Sequence, residues 1–139
     1  MEKKKTESDK TSKKMKEGEK YFDCTDKERI SFELGIKLGA LFHQFIGTPV
    51  SSKNLKMLED SIEKTTESQA FVKSAEVKIN APRSVEENEV GPFRYTTLTE
   101  EMIEAEVVVR YKNLKAVGKM EYIDEMSYPL MYIESIEKI

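Results

Sequence analysis

The sequence predicts an α+β domain in which two N-terminal helices pack on a mostly antiparallel sheet. Two segments with helical periodicity come first, between about residues 28 and 68, and four segments of alternating apolar and polar residues follow. The connections within the later segments are short, as is typical of antiparallel neighbours. Helices followed by a run of strands favour a sheet with helices on one face.

The chain has 139 residues, enough for one domain, which we assign to residues 21–139. Residues 1–20 hold eight lysines and five acidic residues, with only Met1 and Met15 apolar. A segment with so little to bury is expected to be a disordered Lys-rich tail. The whole chain carries a net charge of −3, so the domain itself is acidic, which argues against nucleic acid as its main partner.

The single cysteine, Cys24, permits no disulfide within the chain and is typical of a reducing compartment. No apolar run approaches the ~20 residues that span a bilayer, and the N-terminus lacks the apolar core of a signal peptide. We therefore expect a cytoplasmic protein without a membrane partner. One cysteine and one histidine do not make a zinc cluster, and there is no glycine-rich phosphate loop, so we expect no metal and no cofactor.

The first helix is predicted from about residue 28 to residue 45. Thr25 and Glu28 form a capping box before it, and Gly47 with Pro49 supplies the stop. Its main apolar stripe consists of Ile30, Leu34, Leu38, Leu41 and Phe45. Other apolar residues lie off the stripe, so the helix should be buried on several sides. Its two glycines, Gly35 and Gly39, leave a notch that another backbone or a flat ligand can approach.

The second helix is expected from about Ser52 to about Ser68, with Ser51 or Ser52 as its cap. Alternation then predicts strands at residues 75–79, 104–111, 114–123 and 130–136. An acidic loop at residues 81–92 separates the first two strands. Lys112-Asn113 is a tight hairpin turn, and residues 127–129 break the last pair.

Glu33 and His43 are the first candidates for chemistry. Glu33 sits in a mostly apolar helix, so it lies either on a residual wet strip or buried with a partner. His43, the only histidine, is ten residues further and about 80° around the axis, so the two side chains can flank one pocket without touching. A histidine at a helix end is favoured in its charged form, and it can equally cap its own helix.

Gln69 and Tyr95 are further candidates. Gln69 lies where the second helix ends, and Tyr95 lies in a loop beside Gly91 and Pro92. A tyrosine hydroxyl is a proton donor rather than a base at neutral pH. From the residue pattern alone, a structural role remains open for both.

Residues 28–50 (ERISFELGIKLGALFHQFIGTPV) closely resemble the opening helix of archaeal-type dihydroneopterin aldolases of the methanopterin pathway. Later segments agree in order, at residues 68–72, 95–98, 104–109 and 128–133. The resemblance covers about residues 21–139. It implies retro-aldol cleavage of dihydroneopterin into 6-hydroxymethyl-7,8-dihydropterin and glycolaldehyde, with neither a Schiff base nor a metal. It also implies a homo-oligomer, specifically a tetramer.

The resemblance implies a role for each candidate. Glu33 would anchor the pterin, His43 and Gln69 would hold a water that acts as general base, and Tyr95 would be the general acid. The acidic loop is long for the family, so Tyr111 and Tyr128 are alternatives for the acid. Other functions remain open: a pterin- or purine-binding module without catalysis, an RNA- or membrane-associated protein that acts through its tail, or an enzyme that also epimerises the substrate side chain.

Overall fold

The computed structural model describes residues 6–81 and 95–139, which form a four-stranded sheet with helices against it. The elements are α1 (Glu7–Glu19), α2 (Asp26–Phe45), β1 (Pro49–Val50), α3 (Leu55–Glu67), β2 (Val72–Ile79), β3 (Thr96–Thr97), β4 (Ile103–Tyr111), β5 (Leu114–Ile123) and β6 (Tyr128–Lys138). The sheet has the order β2-β4-β5-β6, and all neighbours are antiparallel. The short strands β1 and β3 form a separate antiparallel pair. The α+β prediction is confirmed.

Helix α2 begins at the predicted capping box. The Thr25 hydroxyl accepts from the Glu28 N–H at 3.2 Å, and the Glu28 carboxylate accepts from the Thr25 N–H at 3.0 Å. The helix ends at Phe45, before Gly47, whose φ of 96° is left-handed. Its apolar stripe packs on β4 and β5 and forms the core with the inward residues of the sheet.

The start of α3 differs from the prediction. The helix begins at Leu55, and Asn54 occupies the N-cap position, so the prediction of Ser51 or Ser52 as cap was wrong. The Asn54 side chain turns back and accepts from the Ser51 N–H at 2.8 Å, which makes a local turn instead of a helix cap.

Helix α3 lies along the outer edge of β2 and satisfies its free N–H groups. Three glutamates four residues apart on the helix accept from residues two apart on the strand. The contacts are Ile79 N–H to Glu59 at 2.8 Å, Val77 N–H to Glu63 at 2.8 Å and Ala75 N–H to Glu67 at 3.3 Å. Four helical residues rise about 6 Å and two strand residues about 6.7 Å, so the two repeats nearly match.

Strand β5 has the predicted bounds, whereas β2, β4 and β6 are longer than predicted. β2 starts at Val72, β4 at Ile103, and β6 spans Tyr128–Lys138. Lys112, with φ of 52°, makes the predicted hairpin turn. Residues 127–129 were predicted to break the last pair of strands. Residues 128 and 129 belong to β6, so of these three only Ser127, with φ of 48°, lies outside the strands. The predicted acidic loop falls outside the described residues, except for Ala81.

The N-terminal segment also differs from the prediction, because residues 7–19 form helix α1 where a disordered tail was expected. Its start carries a capping box between Thr6 and Asp9, a local arrangement that needs no burial. None of its side chains is buried. The domain boundary at residue 21 stays a prediction. Within residues 6–81 and 95–139, no helix combines the length and the apolar character needed to cross a bilayer.

Candidate active site

Three charged side chains lie one turn apart on the buried face of α2. Glu33 is at the centre, with Arg29 one turn before it and Lys37 one turn after it. Arg29 Nε donates to Glu33 Oε1 at 3.0 Å, and Lys37 Nζ donates to Glu33 Oε2 at 2.8 Å. Glu33 is only 7% exposed. Of the two placements that the sequence left open for Glu33, the structure shows the buried and partnered one.

Aromatic rings from three other segments surround these charges. The Arg29 guanidinium carbon lies 3.5 Å from the ring centre of Phe22, 5.5 Å from that of Phe71 and 5.1 Å from that of Tyr111. Lys37 Nζ lies 5.8 Å from the Phe71 ring centre. Cations are attracted to ring faces, and apolar surroundings strengthen the ion pairs because they exclude water.

The Glu33 carboxyl is held in its charged form. Burial by itself raises the pKa of Glu33, because a low-dielectric environment disfavours the carboxylate. The hydrogen bonds and charges of Lys37 and Arg29 act in the opposite direction and outweigh burial, so the pKa of Glu33 lies below its ordinary value. At neutral pH this residue is therefore a carboxylate, which can accept two N–H groups side by side.

Gln69 lies in the turn from α3 into β2. Its carbonyl accepts from the Val72 N–H at 3.3 Å, and its side chain is half-buried. The turn includes Phe71, whose φ of 71° is left-handed and whose ring lies beside the Glu33 ion pairs. The structure thus brings the Gln69 turn to the part of α2 that carries Glu33.

His43 lies in the last turn of α2 and is exposed. Its ring meets Phe42 edge to face, with ring centres 5.2 Å apart. The ten residues between Glu33 and His43 correspond to about 15 Å along the helix axis. One substrate can reach both residues of one chain only if it lies along α2.

Tyr95 is 57% exposed and directly precedes β3. The next residue, Thr96, pairs with Val50 of β1, which follows the end of α2. Tyr95 therefore lies at the same end of α2 as His43. In a single chain the candidates fall into two groups, one around Glu33 and one around His43.

The two alternative tyrosines differ in their surroundings. Tyr111 is buried beside Arg29, and its hydroxyl donates to Glu19 at 3.4 Å. Burial and the Glu19 charge raise the pKa of Tyr111, so it stays protonated well above neutral pH. Tyr128 is the first residue of β6 and is exposed.

Arg29, Lys37 and Phe71 were not predicted as neighbours of Glu33. A signal for the two cations was present, since they stand four residues before and four after the glutamate, the spacing at which helical side chains pair. The positions of Phe71 and Tyr111 carried no such local signal.

A groove of about 580 Å³ crosses β2, β4 and β5, away from the candidate residues. Its charged lining includes Glu63, Glu76, Glu104, Glu106, Lys119 and Glu121. None of Glu33, His43, Gln69 and Tyr95 lines it, so we place the candidate site at α2 instead. In the part of the chain that the structure describes, no group of three or more His, Cys, Asp or Glu side chains is arranged to hold a metal ion.

Comparisons with known proteins agree on one family. The sequence model of the family described as dihydroneopterin aldolase matches residues 25–134. A Picrophilus torridus protein named dihydroneopterin aldolase is 43% identical over 118 residues, which are 85% of this chain and 95% of the relative. A Methanopyrus kandleri protein of the same name is 38% identical over 121 residues, or 86% of this chain and 98% of the relative.

A solved structure has the same fold. The crystal structure of a Picrophilus torridus protein aligns with a TM-score of 0.75 and 41% identity, over 87% of this chain and 94% of that one. The family match begins at Thr25, the N-cap of α2, and extends past Glu33, His43, Gln69 and Tyr95. The chain belongs to the dihydroneopterin aldolase family.

Proposed function

We propose that this chain cleaves 7,8-dihydroneopterin into 6-hydroxymethyl-7,8-dihydropterin and glycolaldehyde, as an aldehyde-lyase. Membership of the family supports this reaction, and two relatives carry its name. The observation in this chain that carries the proposal is the buried, ionised carboxylate of Glu33 among aromatic rings. A flat heterocycle with an N–H edge is the kind of ligand that such a group recognises.

The reaction can proceed by proton transfers alone. A base removes the proton from the hydroxyl on the second side-chain carbon, and the bond between the first and second side-chain carbons breaks. The glycolaldehyde carbonyl forms, and the electron pair passes into the C=N bond of the pterin ring. A proton then returns to the first side-chain carbon. Because the pterin is its own electron sink, the mechanism that we propose uses neither a Schiff base nor a metal.

In this proposal Glu33 anchors the pterin. A carboxylate has about four lone-pair positions, and the Arg29 and Lys37 contacts use one on each oxygen. The remaining positions can accept the ring N–H and the exocyclic amine of the aminopyrimidine edge. Such paired, charge-assisted hydrogen bonds fix orientation as well as binding strength.

His43 and Gln69 hold the water that acts as general base, and Tyr95 returns the proton. A positioned general acid or base typically contributes about 10²- to 10⁴-fold in rate. His43 is exposed in the last turn of α2, where a water molecule can reach its ring. The half-buried Gln69 can fix the water by hydrogen bonding without taking its proton.

We further propose that the enzyme is a homo-oligomer, a tetramer as the family resemblance implies, and that its sites lie between subunits. Phe32 and Ile36 on α2 are 56% and 45% exposed, and Gly35 between them has open space above it within the described chain. This apolar surface suits a contact with a second copy. Such a contact would let His43 and Tyr95 of one subunit meet Glu33 of another. The expected cytoplasmic location stays a prediction.

The test of the activity is direct. Purified protein with dihydroneopterin and EDTA should release glycolaldehyde and 6-hydroxymethyl-dihydropterin in equal amounts, and chromatography of the remaining substrate would reveal any epimer. Pterin binding without product would favour the non-catalytic module, and the aldolase proposal would be wrong.

Substitutions test the assigned roles. Glu33→Gln should mainly raise KM, because an amide offers one acceptor where the carboxylate offers two. His43→Ala and Gln69→Ala should mainly lower kcat, by about 10²-fold or more. Comparing Tyr95→Phe with the same change at Tyr111 and Tyr128 identifies the acid. An unchanged KM for Glu33→Gln would remove Glu33 from the anchoring role.

A further inference from the structure

We propose that Arg29 and Lys37 are positioning residues, which fix the plane of the Glu33 carboxylate and keep it able to accept the N–H edge of the pterin. This inference rests on the proposed function, since it assigns Glu33 to substrate binding. Neither residue has another role in the proposed mechanism.

The contacts show how the carboxylate is fixed. Each oxygen of Glu33 accepts from a different cation, at 3.0 and 2.8 Å, and the cations approach from opposite turns of α2. The side chains of Arg29, Glu33 and Lys37 are 9%, 9% and 7% exposed. Because both oxygens are held and water is largely excluded, rotation of the carboxylate would break two buried ion pairs.

Arg29 is itself fixed by packing. The Phe22 ring covers its guanidinium at 3.5 Å, and Phe71 and Tyr111 lie further around it. Arg29 Nη1 is buried without a hydrogen-bond partner among residues 6–81 and 95–139. Buried side-chain N–H groups are normally paired, so this guanidinium is oriented by Glu33 and the rings at the cost of one donor.

Other charged and titratable groups face this cluster from neighbouring elements. They are Tyr111 at the end of β4, Lys112 in the following turn, Glu19 of α1 and Asp26 at the start of α2. Lys112 pairs with Asp26 at 3.3 Å and with Glu19 at 4.0 Å, so one cation faces two carboxylates and this outer group keeps one negative charge. In the centre of the cluster, two cations, Arg29 and Lys37, contact the one carboxylate of Glu33.

A pH dependence follows from this balance. Burial raises the pKa of Glu33, and the two cations lower it below its ordinary value. Without one cation the opposition to burial is weaker, so the pKa of Glu33 should rise and the carboxyl should gain its proton at a higher pH than in wild type. A protonated carboxyl loses acceptor capacity, so the substrate should bind more weakly at low pH and recover at high pH.

The experiment compares Lys37→Met and Lys37→Arg with wild type from pH 6 to pH 8. We expect Lys37→Met to raise KM about tenfold or more at pH 6, with kcat changed much less, and with the difference shrinking toward pH 8. Lys37→Arg keeps the charge and should restore most of the binding. Lys56→Met, at an exposed lysine of α3, is the matched control and should leave KM unchanged at every pH.

A wild-type KM and pH profile in Lys37→Met would overturn the proposal. A second measurement covers a variant that does not fold: the titration of the Glu33 carboxyl followed by ¹³C NMR in the wild-type protein. A pKa at or above the ordinary glutamate value would also overturn the proposal. If the wild-type enzyme forms no product, the proposed function fails, while the Glu33 titration still decides whether the cations hold it ionised.

Discussion

At the scale of single residues, Gly118 sets how closely α2 approaches the sheet. A Cβ atom there would lie 2.7 Å from Leu34 Cδ1 and 2.8 Å from Leu34 Cγ, well inside normal carbon contact distances. Leu34 is 1% exposed, so its side chain has little room to move. Because Glu33 is the residue before Leu34, this glycine also fixes the depth at which the carboxylate lies.

Gly118→Ala should therefore destabilise the protein, although alanine normally costs less than glycine in a strand. Overpacking a core typically costs about 1–3 kcal/mol, which thermal unfolding would show as a lower Tm. Gly18→Ala in α1, where nothing lies within 4 Å, is the control and should not lower Tm. In a Leu34→Ala background the same glycine change should cost less, since the clash is gone. Equal costs in both backgrounds would contradict this explanation.

The residues of the candidate site were only partly predictable from the sequence. Glu33 was a candidate because a charged residue in a mostly apolar helix is unusual. The structure shows that its carboxylate is paired with Arg29 and Lys37. Arg29 and Lys37 had the right spacing, but spacing alone does not tell whether that side of the helix is buried. Phe71 and Tyr111 come from distant parts of the chain, so only tertiary packing places them there.

At the scale of elements, α3 stabilises the edge of the sheet. Its glutamates accept N–H groups of β2 that would otherwise point to solvent. Edge strands are a hazard because their unpaired backbone groups can pair with other chains. The amphipathic helix thus contributes its apolar face to the core and its acidic side chains to the strand.

Glu63→Ala should weaken this edge. The Val77 N–H loses its acceptor, and an unpaired, partly buried donor costs about 1–2 kcal/mol. Hydrogen exchange of the Val77 amide should become faster, and urea unfolding should shift to lower concentration. Glu63→Gln retains an acceptor oxygen and should lose less, while Lys56→Ala on the exposed side should change little. Unchanged exchange at Val77 would show that the contact does not form in solution.

Element boundaries were predicted correctly where short-range interactions determine them. The Thr25–Glu28 capping box is such a case, since it joins two residues only three positions apart. The predicted start of α3 was wrong because the sequence does not show how Asn54 is used. Its side chain can cap the helix or form a turn, and the choice depends on the geometry of neighbouring residues. The prediction of a disordered tail was wrong for a different reason. It rested on the lack of apolar residues to bury and did not consider the local cap at Thr6, where helix α1 begins.

At the scale of the whole molecule, the candidate residues of one chain lie in two groups along α2. Glu33 and the Gln69 turn lie toward one part of the helix, and His43 and Tyr95 toward its end. The order of elements and the short hairpins predicted the four-stranded antiparallel sheet correctly, but not the separate β1–β3 pair. From the sequence, the separation of the two groups could be judged only from the ten residues between Glu33 and His43. The way in which subunits would bring the groups together depends on surfaces that the sequence does not specify.

Mixing two inactive variants tests whether sites are shared. If one subunit supplies Glu33 and another His43, co-expressed Glu33→Gln and His43→Ala chains should recover about a quarter of the wild-type activity through random pairing. Each variant alone, and the double variant, should stay inactive under the same subsaturating substrate. Mixed oligomers without recovered activity would mean that each chain builds its own site.

The glutamates of α3 also have a consequence for assembly. They occupy the β2 side of the sheet, whereas among the described residues β6 has no strand beyond it. A sheet that accepts a new strand on one side only cannot polymerise. Two copies that joined β6 to β6 around a twofold axis would form an eight-stranded sheet with both outer margins already covered. Growth by strand addition would end at that pair, so the chain could associate through its sheet without the risk of forming fibres.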